Sequence, residues 1–226
     1  MDKISWICIY LNLIFAMELK IITIEGEIDQ SSSVLKNKAR NVNFPLSVKD
    51  KKIIASMQTM LFKADGVGLA APQVNIGRSI AVVYIPESAS LLREDVRTYS
   101  MHTIINPEYT PVNENDIFSD FEGCYSVKSI YGKVQRYKSI NLKYQNENGL
   151  VIEQVATGFY ARVLQHEIDH LNGFLITDRL TPGCVQGTFT QMLSLRRAGL
   201  SEDKRKHFDE LMKIKRIIVD DDKTNN

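Results

Sequence analysis

Residues 166–170 read His166-Glu167-Ile168-Asp169-His170. Two imidazoles four positions apart share one face of a helix that turns every 3.6 residues, so they can grip one ion together. Neutral imidazole suits Zn²⁺ or Fe²⁺. Glu167, next to the first ring, can reach a water on that ion. The competing reading is a pair of hydrogen-bonded core histidines with Glu167 merely exposed. Val163, Leu164, Ile168 and Leu171 make the helix a buried one, where two histidines are costly unless something pairs them. A catalytic site also needs a third protein ligand and one open position. Residues 171–183 downstream hold no histidine and one carboxylate, Asp178, while His207 falls in a different helix. Upstream, Glu122-Gly123-Cys124-Tyr125-Ser126 follows an apolar strand. A thiolate on Cys124 would complete a Cys-His-His set; the alternative for Cys124 is a small buried hydrophobe. Cys8 lies in a doubtful leader and Cys184 in a loop after Pro182-Gly183, so both have weaker claims.

A third segment runs Gly66-Val67-Gly68-Leu69-Ala70-Ala71-Pro72-Gln73. Two glycines, small apolar residues and a proline make a tight stretch that another backbone can approach closely. Gln73 is its only polar side chain and could donate into a cleft, as an oxyanion stabiliser does. A plain helix-to-strand turn would use the same residues.

Taken in order, GVGLAAPQ, EGCYS and QHEIDHLNG closely resemble the three signature motifs of peptide deformylases. The resemblance covers roughly Met17 to Leu180. It implies a metal-dependent hydrolase that removes the formyl group from the N-terminal formyl-methionine of nascent polypeptides and releases formate. It implies Cys124, His166 and His170 as metal ligands and Glu167 as general base and acid. Gln73 and the backbone N–H of Tyr125 would bind the oxyanion, and Gly68 the substrate backbone. Val67, Leu69, Glu122, Phe159 and Val163 complete the implied substrate-binding set. The implied cofactor is one divalent ion, Fe²⁺ first, with Zn²⁺, Ni²⁺ or Co²⁺ tolerated. Tyr125 stands where the family usually has Leu, and its ring is expected to reshape the cleft mouth.

These residues need elements to carry them. Ser47 can cap a helix running to about residue 64, with Val48, Ile53, Ile54, Met57, Met60 and Leu61 on one face and Asp65-Gly66 as its stop. Residues 79–85 are a continuous apolar run, a buried strand. Further strands are expected at 20–24, 102–106, 117–122, 133–144 and 150–156, with a turn at 146–149. A helix over 158–172 carries the histidines, Gly173 ends it, and another helix starts at Ser201. Residues 26–46 read as polar and irregular. The expected fold is α+β: antiparallel strands packed around a central metal-binding helix, with a C-terminal helix. Residues 17–182 are expected to form the catalytic domain. Residues 183–226 would be an insertion, the last helix and a charged tail.

The chain has 226 residues, of which 44% are hydrophobic and 24% charged, the balance of a globular protein rather than of a disordered or multi-span membrane one. Its formal net charge is +1, so no global field favours DNA or a membrane surface. Three cysteines are a poor disulfide framework and fit a reducing, cytoplasmic setting. Residues 4–16 are mostly apolar but too short to span a bilayer and lack a positive leader or an Ala-x-Ala site, so the expected start is Met17, with a weak targeting segment or a real hydrophobic arm as the alternatives. Lys204, Arg205, Lys206, Lys213, Lys215 and Arg216 could touch ribosomal RNA, or form a solvated face diluted by Glu202, Asp203, Asp209 and Glu210. Two other functions share some of these signals. An HExxH endopeptidase would need a downstream third ligand, and a metal-free chain binder would have lost its ligands.

Overall fold

The computed structural model describes residues 17–24, 31–91, 93 and 96–224. The expectations for residues 1–16, including Cys8, lie outside the described residues. Two antiparallel sheets and two main helices build the site. Helix α1 spans Ser31–Lys36 and α2 Val48–Lys63. The strands are β1 Gly68–Ala70, β2 Ile80–Ile85, β3 Tyr99–Pro111, β4 Ile117–Cys124, β5 Val127–Tyr137, β6 Ser139–Gln145 and β7 Val151–Thr157. Helix α3 spans Gly158–Leu171 and α4 Ile176–Arg179; β8 Gln186–Gly187, α5 Phe189–Ala198 and α6 Glu202–Thr224 follow. The larger sheet has the order β1-β2-β3-β6-β7 and the smaller one β4-β5-β8.

The larger sheet is covered on both faces. Ala81, Val83, Ile104, Ile140 and Leu142 pack against Tyr160, Ala161, Leu164, Ile168 and Leu171 of α3. Leu69, Ile80, Val82 and Ile105 pack the other way, against Ile53, Ile54, Met57 and Leu61 of α2. That is why β2 reads as an unbroken apolar run: both of its faces are buried. Ser47 caps α2 as expected, its hydroxyl accepting from the Asp50 N–H at 3.1 Å. Gly173 ends α3 with a φ of +80°, the left-handed stop that glycine adopts without strain.

Four expectations change. The stretch 133–144 is not one strand: it is the end of β5 and most of β6, which belong to different sheets. The chain bends at Lys138, whose N–H bonds the Asp116 carbonyl. Residues 20–24 are not a strand, but they are tied down: Ile22 N–H bonds the Gln73 carbonyl at 2.9 Å and Ile24 N–H the Ser126 carbonyl at 3.0 Å. The polar stretch 26–46 contains α1, whose Leu35 is fully buried in the core beneath the small sheet. The expected insertion at 183–200 holds β8 and a capped helix, α5, in which the Thr188 hydroxyl accepts from Gln191 N–H. Among the described residues no helix is long and apolar enough to cross a membrane.

Candidate active site

The three motifs meet at one cleft. Cys124 ends β4 at the small sheet, and His166 and His170 project from α3. The Cys124 Sγ lies 3.3 Å from His170 Nε2, which lies 3.2 Å from His166 Nε2. All three donor atoms fall within 4.8 Å of one another. The donor set is one thiol and two imidazoles, the soft and borderline ligands that divalent transition metals prefer. The residues therefore fit an ion of that kind. Glu167 is buried beside them, and its Oε2 has no protein partner among the described residues. Burial lifts the Glu167 carboxyl to about 7. Burial holds the His170 ring neutral, well below the ordinary histidine range, with His166 adding to the effect.

His166 is oriented from behind. Its Nδ1 lies 3.0 Å from Glu122 Oε2. Glu122 also accepts from Arg136 Nε and Nη2, both at 3.0 Å, and from Arg162 Nη1 at 2.7 Å. Burial pushes the Glu122 carboxyl up, but the Arg136 guanidinium and His166 outweigh it and hold the group ionised, well below the usual carboxylate range. A carboxylate there fixes the proton on Nδ1 and leaves Nε2 to face the sulfur. Arg136 continues to Asp169, which also bonds Arg179. Sequence reasoning missed this ring of charges. Arg162 carried the one local signal: a cation four residues before His166, on the apolar side of the helix.

Gln73 is 2% exposed, and its two ends do different things. Its Oε1 accepts from Ala70 N–H at 2.8 Å, which turns Nε2 to 3.6 Å from the Cys124 sulfur. Gly68 lies under Glu167: a Cβ at 68 would sit 2.7 Å from the Glu167 carboxyl carbon. Gly66 makes room for the Tyr125 ring, whose hydroxyl donates to the Ala64 carbonyl at 3.3 Å. Tyr125 thus reaches across the cleft mouth to the turn after α2.

The cleft has a volume of about 670 Å³ and includes Val67, Gly68, Gln73, Arg93, Glu122, Cys124, Tyr125, Phe159, Val163, His166 and Glu167 in its lining. Leu69, expected at the site, is 1% exposed and packs toward α2, because strand alternation turns it to the face opposite Gly68. Glu122 borders the cleft, but both its oxygens are engaged by Arg136, Arg162 and His166. On α6, Arg205 is turned back to the Leu200 and Ala198 carbonyls.

A Cys-His-His donor set beside a buried carboxylate, with His166 partly open to the cleft, is the layout of a metal-dependent hydrolase. The model of the polypeptide deformylase family matches residues 21–185. Peptide deformylase 2 of Rickettsia conorii is 35% identical over 192 residues, spanning 83% of this chain and 93% of its own. The crystal structure of peptide deformylase from Thermotoga maritima superposes with a TM-score of 0.61 at 34% identity, over 74% of this chain and 99% of its own. A Met-Ala-Ser-bound class I type b peptide deformylase from Acinetobacter baumannii superposes with a TM-score of 0.62 at 30% identity, over 73% and 99%. The chain belongs to the polypeptide deformylase family. It is a hydrolase that removes the formyl group from the N-terminal methionine of nascent chains.

Proposed function

We propose that Cys124, His166 and His170 hold one divalent ion and that Glu167, Gln73 and the Tyr125 N–H carry the deformylation step around it. The convergence of the three donor atoms within 4.8 Å, beside a buried carboxylate, supports this reading above all else. When bound, such an ion acidifies water and polarises the formyl carbonyl. Glu167, lifted to about 7 by burial, takes the proton of the attacking water and passes it to the departing amine. Gln73 Nε2, aimed by the Ala70 N–H on its other end, and the Tyr125 N–H stabilise the oxyanion that develops on the formyl oxygen. Glu122 acts through His166 rather than on the substrate. Fe²⁺ is the proposed native ion because a thiolate in the set suits it, and the same donors accept Zn²⁺, Ni²⁺ or Co²⁺.

The substrate lies extended along β1, the end strand of the larger sheet, where Gly68 offers backbone without a side chain in the way. Its methionine side chain enters the apolar part of the cleft between Val67, Phe159 and Val163. The Met-Ala-Ser tripeptide held by the Acinetobacter relative has the composition of a deformylated product. Residues 17–182 form the catalytic unit and 183–226 an appendage to it. A cytoplasmic location is proposed with this role, since nascent chains are its substrates, and contact with the ribosome through α6 is a separate expectation.

Formate release from formyl-Met-Ala-Ser by anaerobically purified protein of measured metal content tests the reading. A Glu167→Ala variant should keep its metal and lose turnover. Full activity in that variant overturns the role given to Glu167.

A further inference from the structure

A second pocket, of about 490 Å³, lies behind α3. With 3.6 residues per turn, Phe159, Val163 and His166 face the cleft, while Ile168 and Leu171 sit on roughly the opposite side and line this pocket. Its far wall is the part of β3 where the register against β6 shifts between Ile105 and Glu108, with Asn106 at a φ of +50°. Such irregularities bend a strand and recur beside binding sites. The walls are tied in place. Asn106 Oδ1 accepts from the Val42 N–H at 2.8 Å, and its Nδ2 donates to the Val42 carbonyl at 2.9 Å. The Ala39 N–H, next to Lys38, donates to the Leu171 carbonyl at 2.8 Å.

The polar lining offers donors that the protein does not use. Arg179 pairs with Asp169 through Nε at 2.9 Å and through Nη2, which leaves Nη1 without a hydrogen bond among the described residues. Asp169 stands inside the histidine motif yet has no part in the reaction proposed for the cleft; here it holds Arg179 in place. Lys38 is exposed at the rim and forms no ion pair among the described residues. The Tyr109 hydroxyl forms no hydrogen bond among them either. Burial, with Asp169 adding to it, raises the Tyr109 pKa, so the phenol keeps its proton and stays a donor. Three rings surround these groups. Tyr109 and Tyr137 meet edge to face at 6.5 Å, and the Arg179 guanidinium lies 5.0 Å from the centre of the Phe174 ring. Among the described residues, the pocket and the charge ring behind it set Lys38, Arg136, Arg162 and Arg179 against Glu108, Glu122 and Asp169, so one positive charge is left over. The neighbouring Lys36–Asp178 pair cancels itself. One surplus charge among flat rings matches a ring-bearing monoanion better than a phosphate dianion. The volume is that of a small-molecule site.

We propose that this pocket is a second ligand site, which takes a small carboxylate carried on a ring, its charge read by Arg179 and Lys38 and its body held among Tyr109, Tyr137 and Phe174. The site is separate from the cleft and does not depend on the deformylase reading.

Benzoate is the probe, titrated calorimetrically into the metal-loaded protein with Met-Ala-Ser saturating the cleft, so that the carboxylate does not bind at the ion instead. A Kd on the order of 1 mM is expected for so small a ligand. Arg179→Gln should raise it about tenfold, the weight of one charge-assisted hydrogen bond. Lys38→Gln, at the exposed rim, should raise it about threefold with an unchanged melting temperature. Benzamide, with the same shape and no charge, should bind about tenfold more weakly than benzoate. No binding of benzoate at tens of millimolar overturns the proposal. So does a Kd that stays at the wild-type value in both variants, or benzamide binding as tightly as benzoate. Binding that appears only when Met-Ala-Ser is left out puts the carboxylate in the cleft and overturns it as well.

Discussion

Replacing Glu122 by Gln removes a charge from a cluster that water does not reach. The Glu122, Arg136 and Arg162 side chains are each 4–6% exposed. The variant leaves both guanidiniums without their shared anion and sets an amide N–H₂ against N–H donors. Breaking a buried pair typically costs about 3–5 kcal/mol. Here the lower end applies, because Arg136 keeps Asp169, and Arg162 keeps the Val134 and Phe118 carbonyls. A loss of about 3 kcal/mol is expected for the metal-free protein, measured by urea unfolding. The same change removes the carboxylate facing His166 Nδ1, so metal affinity should drop on the order of 10–100-fold in a competition titration. A loss below about 1 kcal/mol together with unchanged affinity would refute the reasoning, since neither the charge ring nor its grip on the imidazole would then matter.

Gly68→Ala pushes a Cβ into the Glu167 side chain, 2.7 Å from its carboxyl carbon, so turnover should fall on the order of 10²-fold with metal retained; wild-type rates would contradict the packing described. Stripping the ion with a chelator should lower Tm, since only the folded chain gathers its three donors, by the equivalent of about 2.7 kcal/mol at a hundredfold excess over Kd; identical melting curves would argue against a resident ion. His102 supplies a pH signature away from the site. Its Nε2 lies 2.9 Å from the Tyr160 hydroxyl and its Nδ1 2.7 Å from the Ser100 carbonyl. Burial lowers its pKa from 6.5, with the Ser100 carbonyl partly offsetting it, so the unfolded chain takes up this proton first as pH falls. The stability gained from His102 is therefore full above about pH 6.5 and lost as pH falls through and below that value. Urea midpoints of wild type and His102→Asn should converge from pH 7 to pH 5; a constant gap would exclude the linkage.

The elements that position the candidate site were readable because each repeats a local signal. The α3 helix shows its apolar face at helical spacing, and β2 shows the unbroken apolar run of a strand buried on both sides. Other features depend on partners far along the chain. The bend at Lys138 leaves no trace, because Val134, Arg136, Ile140 and Leu142 keep the same alternation while the chain passes from one sheet to the other. Arg136 and Arg162 look like misplaced surface cations until Glu122 is brought between them by tertiary packing. Leu69 stands inside a motif, yet strand alternation alone sends it to the opposite face. The α5 helix was legible and overlooked: Thr188 and Gln191 have the spacing of a capping box, the signature of a helix start.

The short segment before residue 25 does more than its plain sequence suggests. Through Ile22 and Ile24 it buckles the carbonyl of Gln73 to that of Ser126, two residues past Cys124. Two motifs some fifty positions apart along the chain are thereby strapped side by side from the outside. A protein trimmed beyond Ile24 would keep every signature residue and still lose the fastening that holds the Gln73 side chain beside Cys124.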